Sequence, residues 1–188
     1  ITSLDDAAMC EDLGADALGF VHYRGRMRSL PLAKISEICA SVGPLTTKVL
    51  VCAPGDVAEA VDMLEGSSAD VLQLYSLRPE DMTVLRDRGI PIFRTVPPER
   101  SEAIRFSQCA DALVFENGAP GLGRSYDYAR VPIDCCPRAF IAGGLTTANL
   151  HLAKAMNPYG LDVSSGVESA PGKKDPALVS EFIRRCKA

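Results

Sequence analysis

Glycines and hydroxyl side chains cluster at two places in the C-terminal third of the chain. The first is AGGLT at residues 142–146, where Gly143 and Gly144 end a short apolar run. The second is DVSSGVE at residues 162–168, where Ser164, Ser165 and Gly166 follow another such run. Glycine lets backbone N–H groups approach an anion closely, and a helix N-terminus that follows adds a favourable dipole. Two such segments in succession favour a phosphate site, although a plain strand-to-helix turn also fits the first.

A carboxylate, Glu116, ends the apolar run DALVFE at residues 111–116. A carboxylate at the end of a strand is a candidate general acid or base, and a solvated loop charge is the alternative. The glycine-rich segment at residues 121–125 comes soon after it and can form a mobile cover over a site. Glu116 is therefore the sequence's candidate for proton transfer.

Three arginines, Arg24, Arg26 and Arg28, lie within five residues of one another. The guanidinium fork suits bidentate binding of a carboxylate, but a solvated loop explains the same cluster. His22 has no partner motif and is interpreted as a packed or loop residue. The lysine pair at residues 173–174 is interpreted as a solvated entry to the last helix.

The composition excludes several classes of function. No run approaches the roughly 18 apolar residues that a membrane span requires. The 20 basic and 24 acidic residues are mixed along the 188-residue chain, without the basic stripe that nucleic-acid binding needs. Seven cysteines without a C-x-x-C motif indicate reduced thiols of a cytosolic protein. We expect a cytoplasmic monomer or homodimer with a small-molecule ligand, and neither nucleic acid nor membrane as partner.

Short β-rich runs alternate with helical patterns along the whole chain. Strands are predicted at residues 15–21, 48–52, 70–74, 91–96, 111–116, 139–142 and 160–163, and helices at 3–13, 31–40, 54–64, 79–87, 99–107, 147–156 and 175–186. Apolar strands separated by helices predict a parallel sheet covered by helices. A doubly wound sheet and a (β/α)8 barrel both fit, and either places its ligand at the C-terminal ends of the strands. A chain that opens on a helix suits a barrel without its first strand, so we expect one N-terminally truncated (β/α)8-barrel domain over residues 1–188.

These motifs resemble those of the phosphoribosylanthranilate isomerase family. Residues 14–20 (GADALGF) are similar to the family segment G-A-D-x-L-G-F, and residues 142–145 with Asn149 are similar to A-G-G-L-x-x-x-N. The most specific match is residues 162–175, which follow D-V-S-S-G-V-E-x-x-x-G-x-K-D without interruption. The resemblance covers the whole chain in one order.

The resemblance implies an Amadori rearrangement in tryptophan biosynthesis, performed without cofactor or metal. N-(5′-phosphoribosyl)anthranilate becomes 1-(2-carboxyphenylamino)-1-deoxyribulose 5-phosphate when an acid protonates the ribose ring oxygen and a base removes the C2′ proton. The general acid falls at Glu116, Arg28 would face the anthranilate carboxylate, and Asp162 and Gln73 would line the ribose. The phosphate would be held by Gly143, Gly144, Ser164, Ser165 and Gly166.

Three features depart from the family pattern. The family's first strand ends in K-x-C-G-I-T and supplies a cysteine as general base, whereas this chain begins at Ile1 and Thr2. The acid is usually Asp but is Glu116 here, and Tyr75 replaces the His of a V-Q-L-H-G-like segment. We therefore expect the chain as given to turn over poorly.

Two other kinds of function stay open at this stage. A non-catalytic phosphosugar-binding protein would suit the missing base. Another phosphate-binding barrel of tryptophan or histidine biosynthesis would need lysines at strand ends or paired aspartates on opposite strands, and neither set is evident.

Overall fold

Seven strands form one parallel sheet, in a computed structural model that describes residues 1–118 and 124–188. They are β1 (Ala17–His22), β2 (Thr47–Cys52), β3 (Val71–Leu74), β4 (Ile92–Val96), β5 (Ala112–Phe115), β6 (Ala139–Ile141) and β7 (Gly160–Leu161). Each strand pairs in parallel with the next one in the chain. A doubly wound sheet reverses its strand order, and this one does not. The barrel-type prediction is confirmed.

Helices alternate with these strands. They are α1 (Leu4–Asp12), α2 (Leu32–Ser41), α3 (Val57–Ser67), α4 (Pro79–Asp87), α5 (Arg100–Ser107), α6 (Leu150–Lys154) and α7 (Pro176–Lys187). In the described part of the segment between β5 and β6, two 3-10 turns occur, at Tyr128–Arg130 and Ile133–Cys135. Over the described residues, no helix combines the length and apolarity needed to cross a membrane.

Strand side chains alternate between two faces, and the outer face packs against the helices. Phe20, Leu50 and Leu72 share a register row across β1, β2 and β3, and all three are fully buried in the core that the helices cover. The intervening residues, including Gln73 and Thr95, lie on the inner face. Strand residues that follow this inner alternation therefore reach the mouth formed by the strand ends.

Alpha helix α6 is shorter than the prediction of residues 147–156. Asn149 Oδ1 accepts a hydrogen bond from the Thr146 backbone N–H at 2.8 Å, and the Asn149 N–H is bound by Thr146 Oγ1 at 3.3 Å. These side chains satisfy the backbone in a turn, which competes with helix. The helix begins only at Leu150.

The start of the chain lies between the two edges of the sheet. Among the strands of the described residues, β1 pairs with β2 and β7 with β6, and β1 also forms one isolated bridge, from Val21 to Ser29. The backbone nitrogen of Ile1 donates to the Gly19 carbonyl on β1 at 2.7 Å. Thr2 Oγ1 donates to the carbonyl of Gly172, in the hairpin that follows β7. Residues 1–2 therefore contact β1 at one edge of the sheet and the hairpin that follows β7, the strand at the other edge.

Candidate active site

Three strands bring polar side chains to one mouth at their C-terminal ends. Tyr75 follows β3, Glu116 follows β5 and Asp162 follows β7. The Tyr75 hydroxyl donates to Glu116 Oε2 at 2.6 Å. Burial raises the pKa of the Tyr75 phenol, and the neighbouring charges of Glu116 and Asp162 raise it further. Tyr75 thus stays protonated at neutral pH and is a permanent donor to the predicted acid.

Glu116 also contacts the first predicted phosphate loop. A Cβ added at Gly143 would lie 3.4 Å from both Glu116 Cγ and Tyr126 Cε1, so these two side chains pack against the glycine backbone. Gly143 has a φ of 87°, which favours glycine. Burial, followed by the charges of Tyr128 and Glu116, raises the pKa of the Tyr126 phenol. Tyr75, which the sequence marked only as a departure from the family pattern, and Tyr126, which it did not single out, therefore both lie near the predicted acid.

The two glycine-rich loops pack directly against each other. A Cβ at Gly166 would lie only 1.8 Å from the Leu145 carbonyl oxygen, which only glycine permits. Gly144 is similarly close to the backbone of Ser125, and it adopts a φ of 66°. The structure thus brings the predicted phosphate residues of the two loops together, beside Glu116.

Hydrogen bonds fix how the first loop points its peptide groups. Tyr128 Oη donates to the Gly143 carbonyl at 2.8 Å, and Asn149 Nδ2 donates to the Gly144 carbonyl at 2.9 Å. In a trans peptide the N–H of the next residue points the opposite way. The N–H groups of Gly144 and Leu145 therefore point away from these two donors. The available donors are therefore the N–H groups of the loop and not those of the α6 N-terminus, because α6 begins only at Leu150.

A buried ion cluster lies next to the second loop. Arg28 forks onto Glu168, with Nε–Oε1 at 2.8 Å and Nη2–Oε2 at 2.5 Å. Lys174 Nζ donates to Glu168 Oε1 at 3.1 Å and to the Ser164 carbonyl at 2.9 Å. Burial alone would raise the pKa of Glu168, but the Arg28 hydrogen bonds and the Lys174 charge outweigh it and bring the pKa to about 2.

The prediction that the lysine pair is solvated is wrong for Lys174. This residue is 8% exposed, and its backbone N–H donates to Asp6 Oδ2 at 3.0 Å. It lies opposite Glu168 in an antiparallel hairpin formed by β8 (Glu168–Ala170) and β9 (Lys173–Lys174). The Pro171-Gly172 pair between them is a turn signal that could have revealed this hairpin.

The remaining predicted residues occupy different depths. Asp162 has solvent access at the mouth, yet the surrounding protein raises the pKa of its carboxyl against the opposing charge of Lys174. Gln73 is buried below Tyr75, and its Nε2 donates to Thr95 Oγ1 at 3.1 Å. Of the segment predicted as a mobile cover, residues 121–123 lie outside the described residues.

A cavity of about 600 Å³ lies beside the ends of β1 and β2. His22, Tyr23, Arg24 and Met63 are among the residues that line it. His22 is packed as predicted, with Nδ1 at 2.8 Å from the Leu30 carbonyl. The predicted acid and phosphate residues do not line this cavity, which therefore adjoins the mouth without belonging to it.

Comparison with known proteins gives consistent results. A family model described as N-(5′-phosphoribosyl)anthranilate (PRA) isomerase matches residues 1–185. The N-(5′-phosphoribosyl)anthranilate isomerase of Geobacter metallireducens is 36% identical over 195 residues, covering all of this chain and 96% of that relative.

Solved structures agree. The phosphoribosyl anthranilate isomerase of Thermus thermophilus superposes with a TM-score of 0.91 at 32% identity, covering 98% of this chain and 94% of that one. Another such isomerase, solved in complex with reduced 1-(o-carboxyphenylamino)-1-deoxyribulose 5-phosphate, has a TM-score of 0.88 at 25% identity, covering 100% and 95%.

The contact between the loops can be tested with matched glycine substitutions. Gly166→Ala should lower the free energy of unfolding by about 1–3 kcal/mol, because the new methyl group would overlap the Leu145 carbonyl and force the loops apart. In Gly19→Ala the added Cβ meets only Val51 Cγ2 at 3.7 Å, an ordinary contact, so the loss should be much smaller. The free energies of unfolding of both variants are compared by urea unfolding. Equal losses would contradict the close approach of Gly166 to the Leu145 carbonyl.

The ion cluster predicts a pH dependence of stability. Because the pKa of Glu168 is about 2 in the folded protein and 4.5 ordinarily, its contribution is fully present above about pH 4.5. It should be lost as the pH falls towards 2. The free energy of unfolding, measured with urea between pH 7 and pH 3, should therefore fall less steeply in Glu168→Gln than in the parent protein.

The control for this pH series is Glu181→Gln, since Glu181 pairs with Arg184 and Arg185 on the exposed surface of α7. Exposed ion pairs contribute little to stability, so this variant should follow the parent protein. A Glu168→Gln profile that also follows the parent would refute the assigned charge cluster.

Proposed function

The chain belongs to the N-(5′-phosphoribosyl)anthranilate isomerase family, and we propose that Glu116 is the general acid with which it performs the family's reaction. Membership makes it an isomerase of tryptophan biosynthesis. The substrate is N-(5′-phosphoribosyl)anthranilate, and the product is 1-(2-carboxyphenylamino)-1-deoxyribulose 5-phosphate. The proposal concerns which residues of this chain bind the substrate and move its protons.

The observation that carries this proposal is the position of Glu116 against the phosphate loop. In a ribose 5-phosphate, the ring oxygen is bonded to C4′, and C4′ carries the C5′ that is esterified to phosphate. An acid that protonates the ring oxygen must therefore lie close to the phosphate site. Glu116 meets this requirement, since its side chain packs on Gly143.

The acid starts the reaction and a base completes it. Glu116 gives its proton to the ring oxygen, the C1′–O bond breaks, and C1′ becomes a protonated imine of the anthranilate nitrogen. Removal of the C2′ proton turns the imine into an enol-amine, which tautomerises to the ketone. Asp162, at the same mouth, is proposed to contact the ribose, and Gln73 is proposed to line it from below.

The loops after β6 and β7 are proposed to hold the phosphate. The orientation of the peptides after Gly143 and Gly144 supports this role, because their N–H groups point away from the Tyr128 and Asn149 donors, and successive backbone N–H groups of a loop can bind an anion. Lys174, bound to the Ser164 carbonyl, adds positive charge behind the second loop. Ser165 and Gly166 complete the set.

Arg28 is proposed to bind the anthranilate carboxylate while keeping its bond to Glu168. The guanidinium carries five N–H donors, and the fork onto Glu168 uses two of its nitrogens. Arg28, Glu168 and Lys174 together leave one net positive charge. The cluster therefore favours an anionic ligand in spite of its internal carboxylate.

The general base is not supplied by Cys52, which is the cysteine nearest a strand's C-terminal end. Cys52 is fully buried, and burial raises the pKa of its thiol to about 12, so it is not a proton acceptor at neutral pH. The resemblance assigns the base to the cysteine of the family segment K-x-C-G-I-T, of which Ile1 and Thr2 match the last two residues. All seven cysteines are free, which supports the proposal of a reducing, cytoplasmic setting.

Glu116→Gln should lower kcat of the native isomerase by about 10²–10⁴-fold, because the ring oxygen loses its proton donor. The binding constant of the reduced product analogue should stay within a few-fold of the parent value. Steady-state kinetics and calorimetry measure the two quantities, with Glu181→Gln as the surface control. Unchanged turnover would refute the acid assignment, and a parent protein that binds the analogue without turnover would be a phosphosugar-binding protein instead.

Arg28→Ala should raise KM for the anthranilate-bearing substrate by the equivalent of about 1.5–3 kcal/mol, since one charged hydrogen-bonding pair is lost. The affinity for ribose 5-phosphate, which has no anthranilate carboxylate, should change little. Arg24→Ala, in the same loop and exposed, is the control. Equal losses for both ligands would show that Arg28 acts through Glu168 on the phosphate loop.

A further inference from the structure

The backbone around Tyr75 is held by hydrogen bonds from both neighbouring strands. The Tyr75 N–H donates to the Cys52 carbonyl at 3.1 Å, which continues the pairing of β2 with β3. On either side of it, the carbonyls of Leu74 and Ser76 both accept from Nη1 of Arg94 on β4. The Arg94 guanidinium is itself held over the Phe106 ring, 4.2 Å from its centre. The segment that carries Tyr75 is therefore anchored from both neighbouring elements.

The Tyr75 side chain lies in a row of polar side chains on the inner face of the sheet. Gln73 Nε2 donates to Thr95 Oγ1 at 3.1 Å, and the Thr95 side chain lies beside the Tyr75 phenol, whose pKa it lowers against the other causes. The Tyr75 hydroxyl donates to Glu116 Oε2 at 2.6 Å. The order along this row is Gln73, Thr95, Tyr75 and Glu116.

Counting protons gives this row a single direction. The one proton of the Tyr75 hydroxyl is committed to Glu116 Oε2, which can accept it both in the ionised carboxylate and in the neutral acid that carries its own proton on Oε1. A hydrogen bond between Thr95 and Tyr75 must then use the Thr95 proton, which leaves the Thr95 oxygen to accept from Gln73. Once the Tyr75 proton is committed to Glu116, the donor of each further bond along the row is fixed. Buried chains of this kind polarise one another and fix the orientation of their members.

Given the proposed role of Glu116 as acid, we propose that Tyr75 is a positioning residue that holds the Glu116 carboxyl in its reactive orientation, with Gln73 and Thr95 fixing the direction of the Tyr75 proton. Glu has one more rotatable bond than Asp, so its carboxyl needs a second point of attachment to stay in one place. Tyr75 supplies that attachment from the end of β3, while Gly143 packs on the aliphatic part of the side chain. Positioning to within an ångström is worth up to about 10²-fold in rate.

Tyr75→Phe tests the proposal in the native isomerase, because it removes the hydroxyl and keeps the ring that packs near Tyr23. We expect kcat to fall by about 10- to 100-fold while KM changes by less than about 3-fold. Tyr159→Phe is the matched control, since Tyr159 is 64% exposed and lies against Phe140, away from the mouth. An unchanged kcat in Tyr75→Phe, or an equal fall in the control, would overturn the proposal.

A double-mutant cycle separates positioning from a general loss of structure. In a Glu116→Gln background, Tyr75→Phe should lower the residual rate by less than about 2-fold, because the side chain that Tyr75 orients no longer transfers a proton. The same fold-change in both backgrounds would show that Tyr75 acts independently of Glu116, and the proposal would be wrong.

Thr95 offers a second pair of variants in case Tyr75→Phe does not fold. Thr95→Val removes the hydroxyl that directs the Tyr75 proton, and it should lower kcat in the same way but less. Thr95→Ser keeps the hydroxyl and should restore most of the rate. Equal activity of the Val and Ser variants would overturn the directional part of the proposal.

An infrared measurement tests the bond without relying on turnover. The Glu116 carboxyl stretching band, identified by its disappearance in Glu116→Gln, should shift in Tyr75→Phe, because the hydrogen-bond donor to that carboxyl is removed. A band at the parent frequency would overturn the proposal even if the protein is active. A parent protein that lacks isomerase activity but shows the shift would refute the proposed function and leave the Tyr75–Glu116 bond intact.

Discussion

The contact between Gly166 and the Leu145 carbonyl is the constraint on which the site depends. Because no Cβ fits there, the loops after β6 and β7 meet backbone to backbone. Gly143 in the first of these loops also lies against the Glu116 side chain, so that the proposed acid and the proposed phosphate loops are adjacent. Adjacent parallel strands supply this arrangement directly, since their C-terminal ends open at the same edge of the sheet.

The positive charges of the site are arranged around the buried Glu168 carboxylate. It holds Arg28 from the loop after β1 and Lys174 from the hairpin after β7, so it joins the two edges of the described sheet. A buried carboxylate with one cation would be a neutral pair, but with two cations it leaves a positive charge for the ligand. Such clusters give little stability for their cost of desolvation, and their use here is geometric.

Most of the strand pattern could be predicted from the sequence, because each strand is a short apolar run between clear turn and helix signals. The two glycine-rich loops after β6 and β7 could also be located, since glycines and hydroxyls mark them locally, and their role in binding phosphate stays a prediction. The hairpin of β8 and β9 was missed because its strands are two or three residues long and polar. The burial of Lys174 depends on Glu168 across that hairpin and on Asp6, 168 positions away, which no local pattern reveals.

The Tyr75–Glu116 bond shows most clearly what sequence reasoning lacks. Its partners are 41 positions apart, at the ends of β3 and β5, and Thr95 of β4, between those strands, accepts from Gln73 on β3. Tyr75 and the longer Glu116 each looked like a departure from the family pattern when considered alone. In the fold they meet, because inner-face residues converge at the mouth. The two separate departures are therefore the two partners of one hydrogen bond.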